Sequence, residues 1–186
     1  MNEHDPSIKI QSSTVQPCSS ELHMQLVEHL REGSIEAFVH LVQDYKTPLF
    51  QFFYRLLSDQ SVAEDSSEKV FLRAYRMRRL LRKGTDLTSW LFRIACSLLR
   101  DRKLKELLNR AATYDSPIQQ AMHALTVQQR IVVLLHRFAG LSSRQLGTVL
   151  RVSEHAAVRR IYESYKALQH QLAALMSSRE PRGFVQ

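Results

Sequence analysis

Apolar residues recur at three- and four-residue steps along most of this chain and do not alternate with polar ones, so the pattern predicts helices, not strands. Ile35, Phe38, Val39, Val42 and Tyr45 mark one face of a helix entered near Ser34. Pro48 predicts a kink or a fresh helix start, and Leu49, Phe50, Phe52, Phe53, Leu56 and Leu57 follow as core candidates. Ser61 and Glu64, three apart, read as a capping box for a helix with Val70, Phe71, Ala74 and Tyr75 inward and Gly84 as its stop. A third helix after Thr85-Asp86 carries the stripe Trp90, Leu91, Ile94, Ala95, Leu98 and Leu99.

From about Arg110 to Pro117 the periodicity fails. Beyond it, Thr126 with Gln129 and Ser142 with Gln145 read as two further capping boxes. The first opens a helix with Ile131, Val132, Leu134, Leu135 and Phe138 inward, closed by Gly140. The second opens a short helix with Leu146, Val149 and Leu150 inward. Arg151-Val152 is a tight turn, and Ser153 is the N-cap candidate of a long last helix lined by Ala157, Ile161, Leu168, Leu172 and Leu175. The expected fold is all-α: a polar tail over 1–21, a helical domain over 22–109, a linker over 110–117, a second helical domain over 118–176 and a tail over 177–186.

Charge adds a partner to this outline. The chain has 186 residues, Lys+Arg 26 against Asp+Glu 18, and a net charge of +8. Residues 23–110 hold 16 basic and 11 acidic residues, and residues 119–176 hold 7 and 2, so each half carries its own excess. Two basic modules favour a polyanion. No apolar run reaches the ~18 residues of a membrane span, and the polar N-terminus lacks the order of a signal peptide. A cytoplasmic location is expected, with Cys18 and Cys96 as two reduced thiols.

Short helix, tight turn and longer helix is the helix-turn-helix order. The second helix would enter a major groove with Glu154, His155, Val158, Arg159 and Tyr162 outward, with Arg160 and Lys166 for phosphates or guanines and Arg151 and Ser153 at its approach. In the first half, the basic run Arg76, Arg79, Arg82 and Lys83 lies near Trp90, with Arg93, Arg100, Arg102 and Lys103 one helix later. Cations can track a strand while an aromatic stacks an unpaired base. Chemistry is not in view: no HExxH, phosphate loop or GxSxG occurs, Glu64 and Asp65 are adjacent instead of sharing a face, and no cofactor, metal site or catalytic residue is expected.

Ala63-Glu64-Asp65, Val70-Phe71-Leu72-Arg73-Ala74-Tyr75 and Trp90-Leu91-Phe92-Arg93-Ile94-Ala95 resemble region 2 of sigma-70 family factors of the extracytoplasmic-function type. Ala124-Leu125-Thr126, Gly140-Leu141-Ser142, Leu150-Arg151-Val152-Ser153 and Arg160-Ile161-Tyr162 resemble region 4. The resemblance implies a non-enzymatic subunit that directs core RNA polymerase to promoters. Asp65, Glu68, Phe71 and Leu72 would bind the clamp helices of the largest subunit. The segment from Arg76 to about Lys105, Ser97 included, would melt and hold the minus-ten strand. The helix from Ser153 would read the minus-thirty-five element, and region 4 would touch the β flap. Many such factors are held inactive by an anti-sigma protein, an expected partner here.

The chain departs from the family pattern at several positions. Ser66-Ser67 stands for an apolar pair, Glu68-Lys69 for Gln-Glu, Ser97 for Asn, Arg144-Gln145 for an acidic pair, Arg151 for Gly and Glu163 for a basic residue. An eight-residue linker reaches roughly 28 Å at full extension, less than the spacing of the two promoter elements. Two other classes stay open: a helix-turn-helix regulator independent of polymerase, and a degenerate sigma-like protein that binds an anti-sigma factor. The reading hangs on twin basic modules that are separable, each with its own hydrophobic interior; a single interior fused across both halves would count against it.

Overall fold

The computed structural model describes residues 20–108 and 116–177, and every regular element among them is helical. The expected tail over 1–21, the linker over 110–117 and the tail over 177–186 fall largely outside these residues. Helix α1 (Ser20–Glu32) precedes the helix expected from Ser34. It ends at Gly33, whose φ of +96° suits glycine and whose amide donates to the His29 and Leu30 carbonyls. A Cβ there would stand 3.1 Å from Arg78 Nε, so the close approach of that side chain asks for glycine as well.

Helix α2 (Ile35–Leu57) starts at Ser34, whose hydroxyl accepts from the Ala37 amide, and runs through Pro48 without a break. Of the two outcomes expected at Pro48, a kink or a fresh start, the fresh start does not occur. An interior proline costs about 3 kcal/mol, but buried Ala37, Leu41 and Tyr45 before it and Leu49, Phe52, Phe53 and Leu56 after it share one face. Each large apolar side chain so buried returns about 1.5–3 kcal/mol, which outweighs the loss. Helix α3 (Gln60–Met77) is capped by Asp59, which accepts from the Val62 amide at 3.0 Å, and not by Ser61. It ends before Gly84: a 3-10 turn over Arg78–Leu80 follows, and Gly84 sits farther on, at φ +79°.

Helix α4 (Leu87–Leu98) is capped by Asp86 as the sequence suggests, and α5 (Arg102–Leu108) closes the first half. The second half holds α6 (Pro117–Ala124), α7 (Val127–Val133) with a π-helical extension over Leu134–Phe138, α8 (Ser143–Leu150) and α9 (Glu154–Ser177). Both expected capping boxes, Thr126 with Gln129 and Ser142 with Gln145, are formed.

The expectation of two separate interiors is not met. Leu134, Leu135, Leu141, Leu146 and Val149 of the second half belong to the same buried cluster as Phe52, Phe53, Leu91 and Phe92 of the first. Helix α8 lies on α4 and the π turn lies on α2. A smaller cluster of Ala121, Leu125, Val133 and Leu168 serves the second half alone. The physical reason is size: the π turn and α8 are short, and one face of each is apolar and buries against α2 and α4 of the larger bundle.

Candidate nucleic-acid interface

The short-turn-long unit closes tightly. Arg151 ends α8 in the left-handed region at φ 57°, and the Val152 amide donates to the Gly147 carbonyl at 2.9 Å. A non-glycine residue in that region costs about 1 kcal/mol. A Cβ on Gly147 would stand 3.0 Å from the Val152 carbonyl oxygen, so the bare glycine lets the turn fold back on the helix. Ser153 caps α9, its hydroxyl accepting from the Ala156 amide at 3.2 Å.

Ala157, Ser164 and Leu168 anchor α9 inward. His155, Val158, Arg159, Tyr162 and Lys166 are exposed along its outer face, Tyr162 at 67%. Arg159 stands 3.8 Å from Glu163 on that face. Glu154 is exposed but already engaged: it accepts from the Ser143 hydroxyl at 3.1 Å and Arg144 Nε at 3.4 Å, which fixes α8 against α9. Arg160 departs from the expected groove face. It is partly buried and lines a cleft against the first half, together with Arg151.

In the first half, Arg76, Arg79, Arg82 and Lys83 are exposed around the end of α3 and the loop beyond it. Thr85 shapes that loop: its hydroxyl donates to the Arg82 carbonyl at 2.7 Å and accepts from the Arg82 amide at 3.0 Å. His23 of α1 ties it down, donating from Nε2 to the Thr85 carbonyl at 3.0 Å. Arg100, Arg102 and Lys103 are exposed, with Arg102 paired to Glu106 at 3.1 Å. Arg93 and Ser97 are partly buried and line the cleft with Arg100. Ser97 accepts from Arg73 at 3.1 Å and donates to the Ile94 carbonyl at 2.7 Å.

Trp90 requires correction. It is only 4% exposed and sits in the shared core, so its ring is not offered to a base in this conformation. Periodicity had placed it on the apolar stripe of α4, and packing wins over the stacking reading. The aliphatic side chain left open beside the cations is instead Leu80, 70% exposed, while its neighbour Leu81 is buried. Nothing in an Arg-Arg-Leu-Leu-Arg sequence says which leucine faces out, because the 3-10 turn that decides it breaks the helical period.

The outer face of α3 presents Asp65, Glu68, Lys69 and Leu72, with Asp65 and Lys69 paired at 2.6 Å and Leu72 59% exposed. Phe71 is buried at 8%. Ser66 and Ser67 also point inward, and the Ser67 hydroxyl donates to the Ala63 carbonyl at 2.7 Å. Their departure from an apolar pair therefore alters the packing side of α3, not its exposed face.

Two contacts across the halves had no signal in the sequence. Gln145, whose Oε1 accepts from the Ser142 amide, donates from Nε2 to Asp86 at 2.9 Å, joining the caps of α8 and α4. The Arg55 guanidinium lies 4.2 Å over the Phe138 ring. Among the described residues, no three or more metal-ligating side chains gather, and no helix is long and apolar enough to cross a membrane.

Comparison with known proteins agrees with this geometry. Residues 41–107 match the family model described as Sigma-70 region 2, and residues 116–168 that of Sigma-70, region 4. The chain is 26% identical over 179 residues to the ECF RNA polymerase sigma factor SigW of Bacillus subtilis, covering 80% of this chain and 96% of that one. It is 24% identical over 188 residues to the RNA polymerase sigma-H factor of Pseudomonas aeruginosa, covering 85% and 97%. Among solved structures, CnrH in complex with the cytosolic domain of CnrY shares the fold at a TM-score of 0.67 and 20% identity, covering 84% of this chain and 98% of that one. The sigma factor RpoE in complex with the anti-sigma factor NepR from Bartonella quintana gives 0.63 and 19%, covering 75% and 98%.

Proposed function

Since this chain belongs to the sigma-70 family of RNA polymerase sigma factors, of the extracytoplasmic-function type, we propose how its residues divide the work of initiation. Sigma factors are transcription initiation factors, not enzymes: they bring core polymerase to promoters. The outer face of α9, with His155, Val158, Arg159, Tyr162 and Lys166, reads the upstream duplex element, and Arg151 and Ser153 contact phosphates at its approach. The observation that carries this reading is the exposure of that face beside a cap and turn that leave its first turn unobstructed.

The rim formed by Arg76, Arg79, Arg82, Lys83, Arg102 and Lys103, with Leu80 among them, tracks the opened minus-ten strand. Arg93, Ser97, Arg100 and Arg160 join it or the upstream contact once the halves part. Asp65, Glu68 and Leu72 face the polymerase clamp helices, and Phe71 supports them from beneath. An anti-sigma protein is the regulatory partner: a solved relative of the same fold was captured with one. Chromosomal DNA and polymerase place this work in the cytoplasm.

The test is salt-dependent binding of the holoenzyme to a promoter duplex. Arg159→Ala should weaken binding and lower the slope of log K against log salt by about 0.9, one phosphate's worth, if it contacts backbone. If it reads a base, affinity should fall by about 1–3 kcal/mol at one position of the element. Unchanged affinity would contradict the assignment of this face.

A further inference from the structure

The packing of the halves brings together four arginines that belong to different elements. Arg93 and Arg100 come from α4 and its end, Arg151 from the turn after α8 and Arg160 from α9. All line one cleft of about 530 Å³. None of the four is in an ion pair with a described residue. The acid nearest to hand in the lining, Glu163, already stands 3.8 Å from Arg159. Four cationic side chains lining one recess repel one another, and partial burial of Arg93 and Arg160 weakens the screening that water gives. Such an arrangement is favourable when an anion fills it.

We propose that this cleft binds a small ligand carrying a chain of phosphates, which bridges the two halves and holds them in the closed packing. The guanidinium fork matches phosphate oxygens two at a time, and four forks from two sides suit several phosphates in a row better than a single anion. The volume lies within the ~300–1,000 Å³ of small-molecule sites, which favour interfaces between domains. Gln128 at the rim adds an amide that can donate to the same ligand. The consequence for regulation rests on the function proposed above: the same four arginines are there assigned to DNA, so ligand and promoter compete.

The experiment is calorimetric titration of the full chain, at fixed ionic strength, with inorganic tripolyphosphate and, separately, with GTP. Saturable one-to-one binding and a raised Tm are expected. Arg93→Ala and Arg160→Ala, one from each half, should each weaken binding by roughly tenfold or more, as loss of a charge-assisted contact does. Arg79→Ala, on the open rim, should leave it unchanged. Equal affinity for both probes assigns recognition to the phosphates; tighter GTP binding adds the nucleoside. Where an alanine variant fails to fold, Arg93→Lys or Arg160→Lys keeps the charge, loses the fork and should still weaken binding. No saturable binding, or weakening alike in Arg79→Ala and the cleft variants, would overturn the proposal. Ligand that binds the cleft without displacing promoter duplex would leave the site standing and contradict instead the assignment of these arginines to DNA.

Discussion

At the scale of single residues, burial separates side chains that a sequence motif treats as equals. Phe71 and Leu72 are neighbours in the same motif, yet one is packed and the other open. Phe71→Ala should therefore cost about 3–5 kcal/mol of stability, seen as a drop in Tm or in the urea midpoint. Leu72→Ala should leave both within about 0.5 kcal/mol and weaken co-purification with core polymerase. Equal loss of stability in the two variants would contradict the placement of α3. Cys96 gives a second residue-level test. Burial pushes its thiol from the usual 9.0 up to about 12. The folded state thus keeps the proton while the unfolded chain loses it above pH 9, so the stability this group contributes is full below pH 9 and lost progressively from 9 to 12. At pH 10 that loss is about 1.4 kcal/mol. Denaturant melts of Cys96→Ala should show correspondingly less alkaline destabilisation than the parent; identical pH profiles would contradict the desolvation of this partly buried thiol.

At the scale of elements, caps were the most legible feature because they are local chemistry. Ser34, Asp86, Thr126, Ser142 and Ser153 all cap helices where the pattern put a start. The miss at α3 is instructive: Asp59 and Ser61 are both competent caps two residues apart, and a hydroxyl-carboxylate pair at the right spacing does not show which one leaves the helical path. The fresh start offered at Pro48 fails for a different reason, since the local cost of the proline is outweighed by burial on both sides that no window around it contains. The caps of α4 and α8 also meet, through Asp86 and Gln145. A double-mutant cycle with Asp86→Ala and Gln145→Ala, read by equilibrium unfolding, should give a coupling of about 0.5–1.5 kcal/mol. Strict additivity would mean that the halves do not touch there in solution.

At the scale of the whole molecule, the all-helical fold and the order of its two modules were readable from periodicity and from the failure of periodicity near residues 110–117. Their packing was not. An amphipathic stripe says that a face is buried but not against what, and Leu135, Leu146 and Val149 could have closed a core of their own. The same blindness left a stacking role open for Trp90, which the shared core claims, and a DNA contact for Arg160, which the cleft between the halves holds. What remained legible was nucleic-acid binding, because it rests on exposed charge and on the helix-turn-helix order, both local properties; the tie to polymerase came from the family resemblance. The central claim is that this chain, through α9 and the basic rim of its first half, directs core polymerase to a start site. Run-off transcription on the promoter of its own operon tests it most directly. The account predicts a discrete transcript with the parent chain and core polymerase. It predicts the loss of that transcript with the paired variants Arg159→Ala and Tyr162→Ala while binding to core polymerase persists. A chain that binds the duplex yet yields no transcript, or a transcript indifferent to both substitutions, would contradict it.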